Sequence, residues 1–329
     1  MGYGLLKGFI AWLILRALWG VAWSFFRIGG LTCVAYYAEE KHLGKSMGTY
    51  TGIYRLGSLV GLLFGGLLAP IIGLDKVAIL FGIATSTGIP IIIIALKKDY
   101  ASQMDDRKSK FHKPASGPFL ERINIISICL TGLLLAMLFQ GILTSTLSSV
   151  IKHFYGKEVT LFQVVINAAL LSGIIQAIRW LWEPFLARWV GHLSDGPYGR
   201  KPIFLLSLLY AGSIYWIISS DLPVSIWVCV TFGVLLGATT VSTLSDAIAL
   251  DIAKSTTNTV SLLTVYSITQ DLGAALGPFI SYMIIGLESG YTYLYWAGTF
   301  ALLFLAVQWL VIAAVEKRYV QRNINTIAK

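Results

Sequence analysis

The stretch Gly191-His-Leu-Ser-Asp195-Gly-Pro-Tyr-Gly199-Arg200-Lys201 is a compact polar loop between two long apolar runs. Its glycines permit a tight reversal of the chain. Asp195 can accept hydrogen bonds from the exposed N–H groups of a helix N-terminus, and Arg200 can form a bidentate ion pair with a carboxylate. The flanking runs read as spans over 160–188 and 202–220. Each is close to the roughly 20 residues a helix needs to cross a bilayer core. The loop therefore joins two helices at a membrane face.

The same reading extends outward in both directions. Further spans fall at 8–38, 46–72, 76–96, 121–152, 224–250, 258–287 and 291–315, which makes nine in all. Hydrophobic residues are 56% of the 329 positions and charged residues only 12%. An average soluble domain carries about 25% charged residues, so lipid must be the solvent for much of this surface. The expected fold class is an all-α polytopic membrane protein. The polar stretch 97–120 divides it into a three-helix part, 1–96, and a six-helix part, 121–316, with a polar tail at 317–329.

The net charge of +9 does not point to nucleic acid, because the basic residues lie in short loops where they set topology. Of the 25 lysines and arginines, Arg16, Arg27, Arg55 and Arg179 lie within spans. Lys7, Lys76, Lys152 and Lys157 lie on one side, and all the others lie on the opposite side with the 97–120 linker. That excess places the linker and the C-terminus in the cytoplasm. An odd number of spans then puts the N-terminus outside, and the opening residues show no basic n-region of a cleavable signal. The three cysteines sit inside apolar runs and the four histidines lack ligand spacing, so no metal, disulfide or cofactor is expected.

An internal repeat is also legible. Gly20 and Gly61 are 41 residues apart, and Gly237 and Gly277 are 40 apart. In each unit a long helix leads through a short turn to a glycine-studded one: Gly57, Gly61, Gly65 and Gly66 in the first, Gly273, Gly277 and Pro278 in the second. Small residues at this spacing let helix backbones approach closely.

The loop resembles the cytoplasmic signature of the major facilitator superfamily, G-x-L-x-D-x-x-G-R-[KR], at Gly191, Leu193, Asp195, Gly199, Arg200 and Lys201. Arg16 followed by Gly20 resembles that family's fourth-helix arginine motif. Gly57, Gly61, Gly65 and Gly66 resemble its fifth-helix antiporter pattern, with Leu62 in place of the proline. The resemblance implies that these nine spans correspond to family helices 4–12, with the first three absent. It implies a major facilitator-type helical bundle and a role for Arg16 in substrate or proton coupling.

Ionisable residues inside spans are functional suspects, since each costs about 2.5–3.5 kcal/mol on insertion scales. Arg16, Gly20, Trp23 and Arg27 share one helix face, although Arg27 near a helix end can instead snorkel. Asp271 lies roughly 20 Å into its helix at 1.5 Å per residue. It is either a proton carrier or a fixed counter-ion to an arginine. Arg55 is its pseudo-equivalent in the repeat. Arg179 and Glu183 can pair along one helix. Gln140 and Asn167 are polar candidates for the cavity wall, and Asp246 and Asp251 are candidate partners for Arg200. No paired carboxylates or nucleophile motif suggests an enzyme. The expectation is a monomeric secondary transporter of a small solute in a bacterial or archaeal cell membrane, coupled to a proton or sodium ion and contacting lipid. The alternative is a truncated, non-transporting membrane remnant or scaffold.

Overall fold

Eleven α-helices are found among the described residues. They are α1 (Gly2–Leu5), α2 (Phe9–Tyr37), α3 (Leu43–Ile72), α4 (Leu74–Ser86), α5 (Pro118–Leu135), α6 (Leu143–Tyr155), α7 (Ala168–Ser194), α8 (Arg200–Tyr215), α9 (Val224–Ser255), α10 (Thr259–Ile285) and α11 (Gly290–Ile327). The structure, a computed structural model, describes residues 2–39, 42–90, 93–94, 118–161, 164–197, 199–256 and 258–327, with backbone alone at 62, 66, 70, 118–120, 161, 164 and 320–327.

Seven helical segments among the described residues are long and apolar enough to cross a membrane: Phe9–Tyr37, Leu43–Ala69, Glu121–Tyr155, Arg200–Ser219, Val224–Ser255, Thr259–Ile285 and Gly290–Tyr319. The all-α polytopic architecture therefore holds, and the two remaining expected spans have identifiable differences. The span at 76–96 begins in α4, which has 13 residues, and part of its remainder lies outside the described residues. The span at 160–188 becomes α7, 27 residues long, whose hydropathy is lowered by Gln176, Arg179, Glu183 and Arg188.

That fifth span also starts later than expected. Residues Glu158–Leu161 and Val164–Asn167 pair as an antiparallel hairpin, β1 and β2, with Val159 opposite Ile166. Their β-branched side chains suit a pleated surface. The Asn167 side-chain Oδ1 then accepts from the Ala169 N–H at 2.9 Å and begins α7 as its N-cap. The expected linker 97–120 lies outside the described residues as far as 117, and Pro118 already starts α5. The expected tail at 317–329 is helical to Ile327 as the end of α11.

The core lies within α5–α11, around Phe139, Leu143, Leu208, Tyr215, Trp227, Tyr266 and Tyr295. Between α5 and α6 the helix widens into a π-turn at Ala136–Ile142. This turn packs against α10 through glycine: a side chain on Gly141 would meet the Gly277 backbone, and one on Gly273 would meet the Leu133 carbonyl. Gly273 and Gly277 are thus packing positions, with Pro278 inside the same helix. A π-turn rotates the residues it contains relative to the α register, and Gln140 faces a cavity from within it.

Candidate functional site

Two polar assemblies join α2 and α3, in the expected three-helix part, to helices of the expected six-helix part. The first is built on the loop between α7 and α8. Gly199 has φ 74°, a left-handed conformation that favours glycine, and it caps the start of α8. The Asp195 carboxylate is almost fully buried, 3% exposed. It accepts the backbone N–H of Gly44 and of Lys45, each at 2.9 Å, at the first turn of α3. A carboxylate at a helix N-terminus meets both unsatisfied donors and the positive end of the dipole. Arg200 donates to Asp195 at 2.7 Å and also pairs with Asp251 on α9. Lys201 pairs with Glu316 on α11, which also accepts from Asn124 at 3.1 Å. At the same face the Lys254 ammonium reaches the Ala38 carbonyl, at the end of α2, at 3.3 Å.

Close packing of α3 on α7 reinforces this seam. Gly44 lies against Gly191, Gly48 against Ala187 and Gly52 against Pro184, each with no room for a Cβ. The contact ends one turn further on. A Cβ on Gly57 or Gly61 of α3, or on Gly173 of α7, would meet nothing within 4 Å. The closest backbone contact between the two helices therefore runs from Gly44 to Gly52 on α3.

The second assembly lines a cavity of about 390 Å³ beyond the seam, between α2, α3, α9, α10 and the π-turn. Its walls carry Trp23, Arg27, Tyr54, Arg55, Asp246 and Asp271. Arg27 on α2 pairs with Asp271 on α10 and donates to Gln270. Gln270 donates to Asp246 on α9 at 3.0 Å, and Tyr266 donates to the same oxygen at 2.8 Å. Arg55 on α3 reaches Glu183 on α7 at 3.5 Å, and Arg179 reaches the same oxygen at 3.8 Å. Arg27, Arg55 and Asp246 line the same cavity. Six side chains thus alternate in sign, Arg179, Glu183, Arg55, Asp246, Arg27 and Asp271. All three acids belong to the six-helix part, and two of the three arginines belong to the three-helix part.

Several expected site residues take other places. Asp246 does not meet Arg200, because it lies in the cavity network; Asp251 does. Arg16 is absent from the cavity wall and lies 4.5 Å from the ring of Trp19 on its own helix. Asn167 caps α7 at the exposed hairpin and is not on the cavity wall. A Cβ on Gly20, Gly57 or Gly61 would meet nothing within 4 Å and one on Gly65 only a Phe81 ring carbon at 3.7 Å, so no close helix contact falls on them among the described residues; Gly66 is described by its backbone alone. Trp23, Arg55, Gln140 and Asp271 do line the cavity. Arg179 and Glu183, 4% and 2% exposed, lie buried behind it. Sequence reasoning missed Gln270 and Tyr266, whose four-residue spacing beside Asp271 was the available signal. It also missed Gly44, Gly48 and Gly52, which repeat at the same interval as the glycines further along.

The family model described as Major Facilitator Superfamily matches residues 1–261. The chain belongs to the major facilitator superfamily. No curated protein matches it. Major facilitator proteins are membrane transporters of small molecules, and the multi-pass helical architecture agrees with that membership. The loop closure and the polar cavity are features of this chain that a transporter can use.

Proposed function

We propose that this chain is a secondary active transporter that moves a small solute by alternating access, coupled to a proton or sodium gradient. The observation that carries the reading is the Asp195 carboxylate of one part seated on the first turn of α3 in the other. Such a contact must break if the parts rock open at the loop face, so it acts as a conformational latch. Gly191, Gly199, Arg200 and Lys201 shape and brace it, with Asp251 as partner. In this reading the excess of basic residues supports a cytoplasmic loop face, and the cavity then opens outward. The protein acts as a monomer in a bacterial or archaeal cell membrane. Arg16, outside the cavity, has no coupling role in this reading.

The test is a solute-uptake screen in proteoliposomes, with and without a pH or sodium gradient, run on the native chain and on Arg200→Ala. Arg200 makes two charge-assisted bonds, each about 1.5–3 kcal/mol. The variant should lose at least about tenfold in rate with little loss of expression. Unchanged uptake would remove the latch. A second reading, a membrane scaffold without transport, draws on α2, where no residue of the most apolar stretch is buried. Absence of any gradient-driven flux across the screen would favour it.

A further inference from the structure

The cavity acids differ in where their partners come from. Glu183 keeps Arg179 from its own helix if the two parts separate. Asp246 keeps Tyr266 and Gln270, both from α10 of its own part. Asp271 is held by Arg27, from the other part, and has no other partner among the described residues. It is also the cavity acid most open to solvent, with its side chain 48% exposed, against 17% for Arg27.

We infer that Asp271 is the exchangeable-cation site of the cavity: a monovalent cation takes the place of the Arg27 guanidinium when the two parts reorient. The inference rests on the alternating-access reading and adds the residue, the ligand class and the exchange step. In the form described here the carboxylate is neutralised by Arg27. Any motion that carries α2 away from α10 strands Asp271 as an uncompensated anion at membrane depth. An unpaired charge there is strongly disfavoured, so the separated form gains stability from a cation that enters from the aqueous cavity. The charge at this point is zero in both forms, with guanidinium in one and the bound cation in the other. Trp23 and Phe26 line the same cavity, and aromatic faces favour cations. The other titratable or charged groups lining the cavity are Tyr50, Tyr54 and Arg55 on α3 and Asp246 on α9; Tyr266 on α10 reaches it through Asp246. The proton-carrier and counter-ion readings of Asp271 then become the two halves of one cycle.

The full chain, with Cys33, Cys129 and Cys229 replaced, can be spin-labelled at Leu74→Cys and Glu288→Cys, both exposed at the face opposite the loop. Distances would be measured in lipid nanodiscs. Three arms separate the cation sources: pH 8 to 5 without sodium, sodium chloride at pH 8, and tetraethylammonium at pH 8. At least one cation should change the ratio of two distance populations about tenfold or more. Asp271→Asn should hold the shifted distribution in every arm, and Glu158→Gln, at an exposed acid of the hairpin outside the cavity, should still respond. An Asp271→Asn chain that responds as the native chain does overturns the inference while leaving alternating access intact. A single unmoved distance in all arms overturns both. Cation-driven motion without flux in the uptake screen overturns the transport reading alone.

Discussion

The helices α2–α4 and the helices α5–α11 solve the same problem differently. In α5–α11 more than half of the most apolar stretch of 121–155 is buried, and large side chains such as Trp227, Tyr215 and Tyr295 are wholly enclosed. In α2–α4 the buried positions are few. Most of them, Leu31, Ala35, Leu43, Met47 and Thr51, lie where these helices meet the other part near the loop face. The six-helix part therefore carries its own core. The three-helix part is ordered by its seam with that core. Lipid tails are as apolar as leucine, so tight backbone packing and polar bonds hold such a seam together, with little hydrophobic drive.

The largest test of this contrast concerns charge. Glu183 balances Arg179 inside the six-helix part and reaches Arg55 across the seam. Glu183→Gln leaves the buried Arg179 without a counter-ion and should cost about 3–5 kcal/mol of stability. Arg55→Gln leaves the Arg179–Glu183 pair in place and should cost less, about 1–3 kcal/mol. Thermal unfolding of detergent-purified protein, followed by size-exclusion fluorescence, reads both. Equal losses would mean that the seam, and not the six-helix core, fixes that charge.

Much of this was legible in the sequence and some was not, for physical reasons. The membrane class and the loop were readable because composition and the Gly191–Lys201 string are local properties. The hairpin at 158–167 was hidden because a short apolar run reads equally as helix or strand. Asp246 and Asp251, five residues apart at one helix end, could not be told apart as partners of Arg200. That choice depends on how α9 is rotated against α8, which is a tertiary fact. The glycines posed the same difficulty. Gly44, Gly48 and Gly52 share an interval with Gly57, Gly61 and Gly65, but the five-residue step between the sets turns the second roughly 140° around the helix, and the rotation and tilt of α3 on α7 decide which set is pressed against it.

That tilt yields a test of intermediate size on a single helix. Gly48→Leu pushes a side chain into the Ala187 backbone, and overpacking of this kind costs about 1–3 kcal/mol. Gly61→Leu meets open space and should be neutral in stability. The pair can be compared by melting temperature and by labelling of a Met47→Cys thiol, which is 1% exposed in the native packing. Gly48→Leu should lower the first and speed the second. A destabilised Gly61→Leu chain would show that the outer part of α3 is packed after all, and the contrast between the two stretches would fail.

The smallest expected effect falls on Arg16, and it bears on how far α2 takes part in the site. Arg16 and Arg27 lie on one helix face, yet only Arg27 joins the charge alternation in the cavity. Arg16 rests on Trp19 of its own helix, a contact worth about 0.5–1 kcal/mol at an exposed position. Arg16→Gln should therefore change stability by less than about 1 kcal/mol, and in the uptake screen it should leave the gradient dependence unchanged. Arg27→Gln should abolish that dependence, because it removes the cation that holds Asp271. If Arg16→Gln instead uncouples flux from the gradient, the outer part of α2 belongs to the ion path, and the division between an idle outer stretch and a working seam has to be redrawn at Arg16.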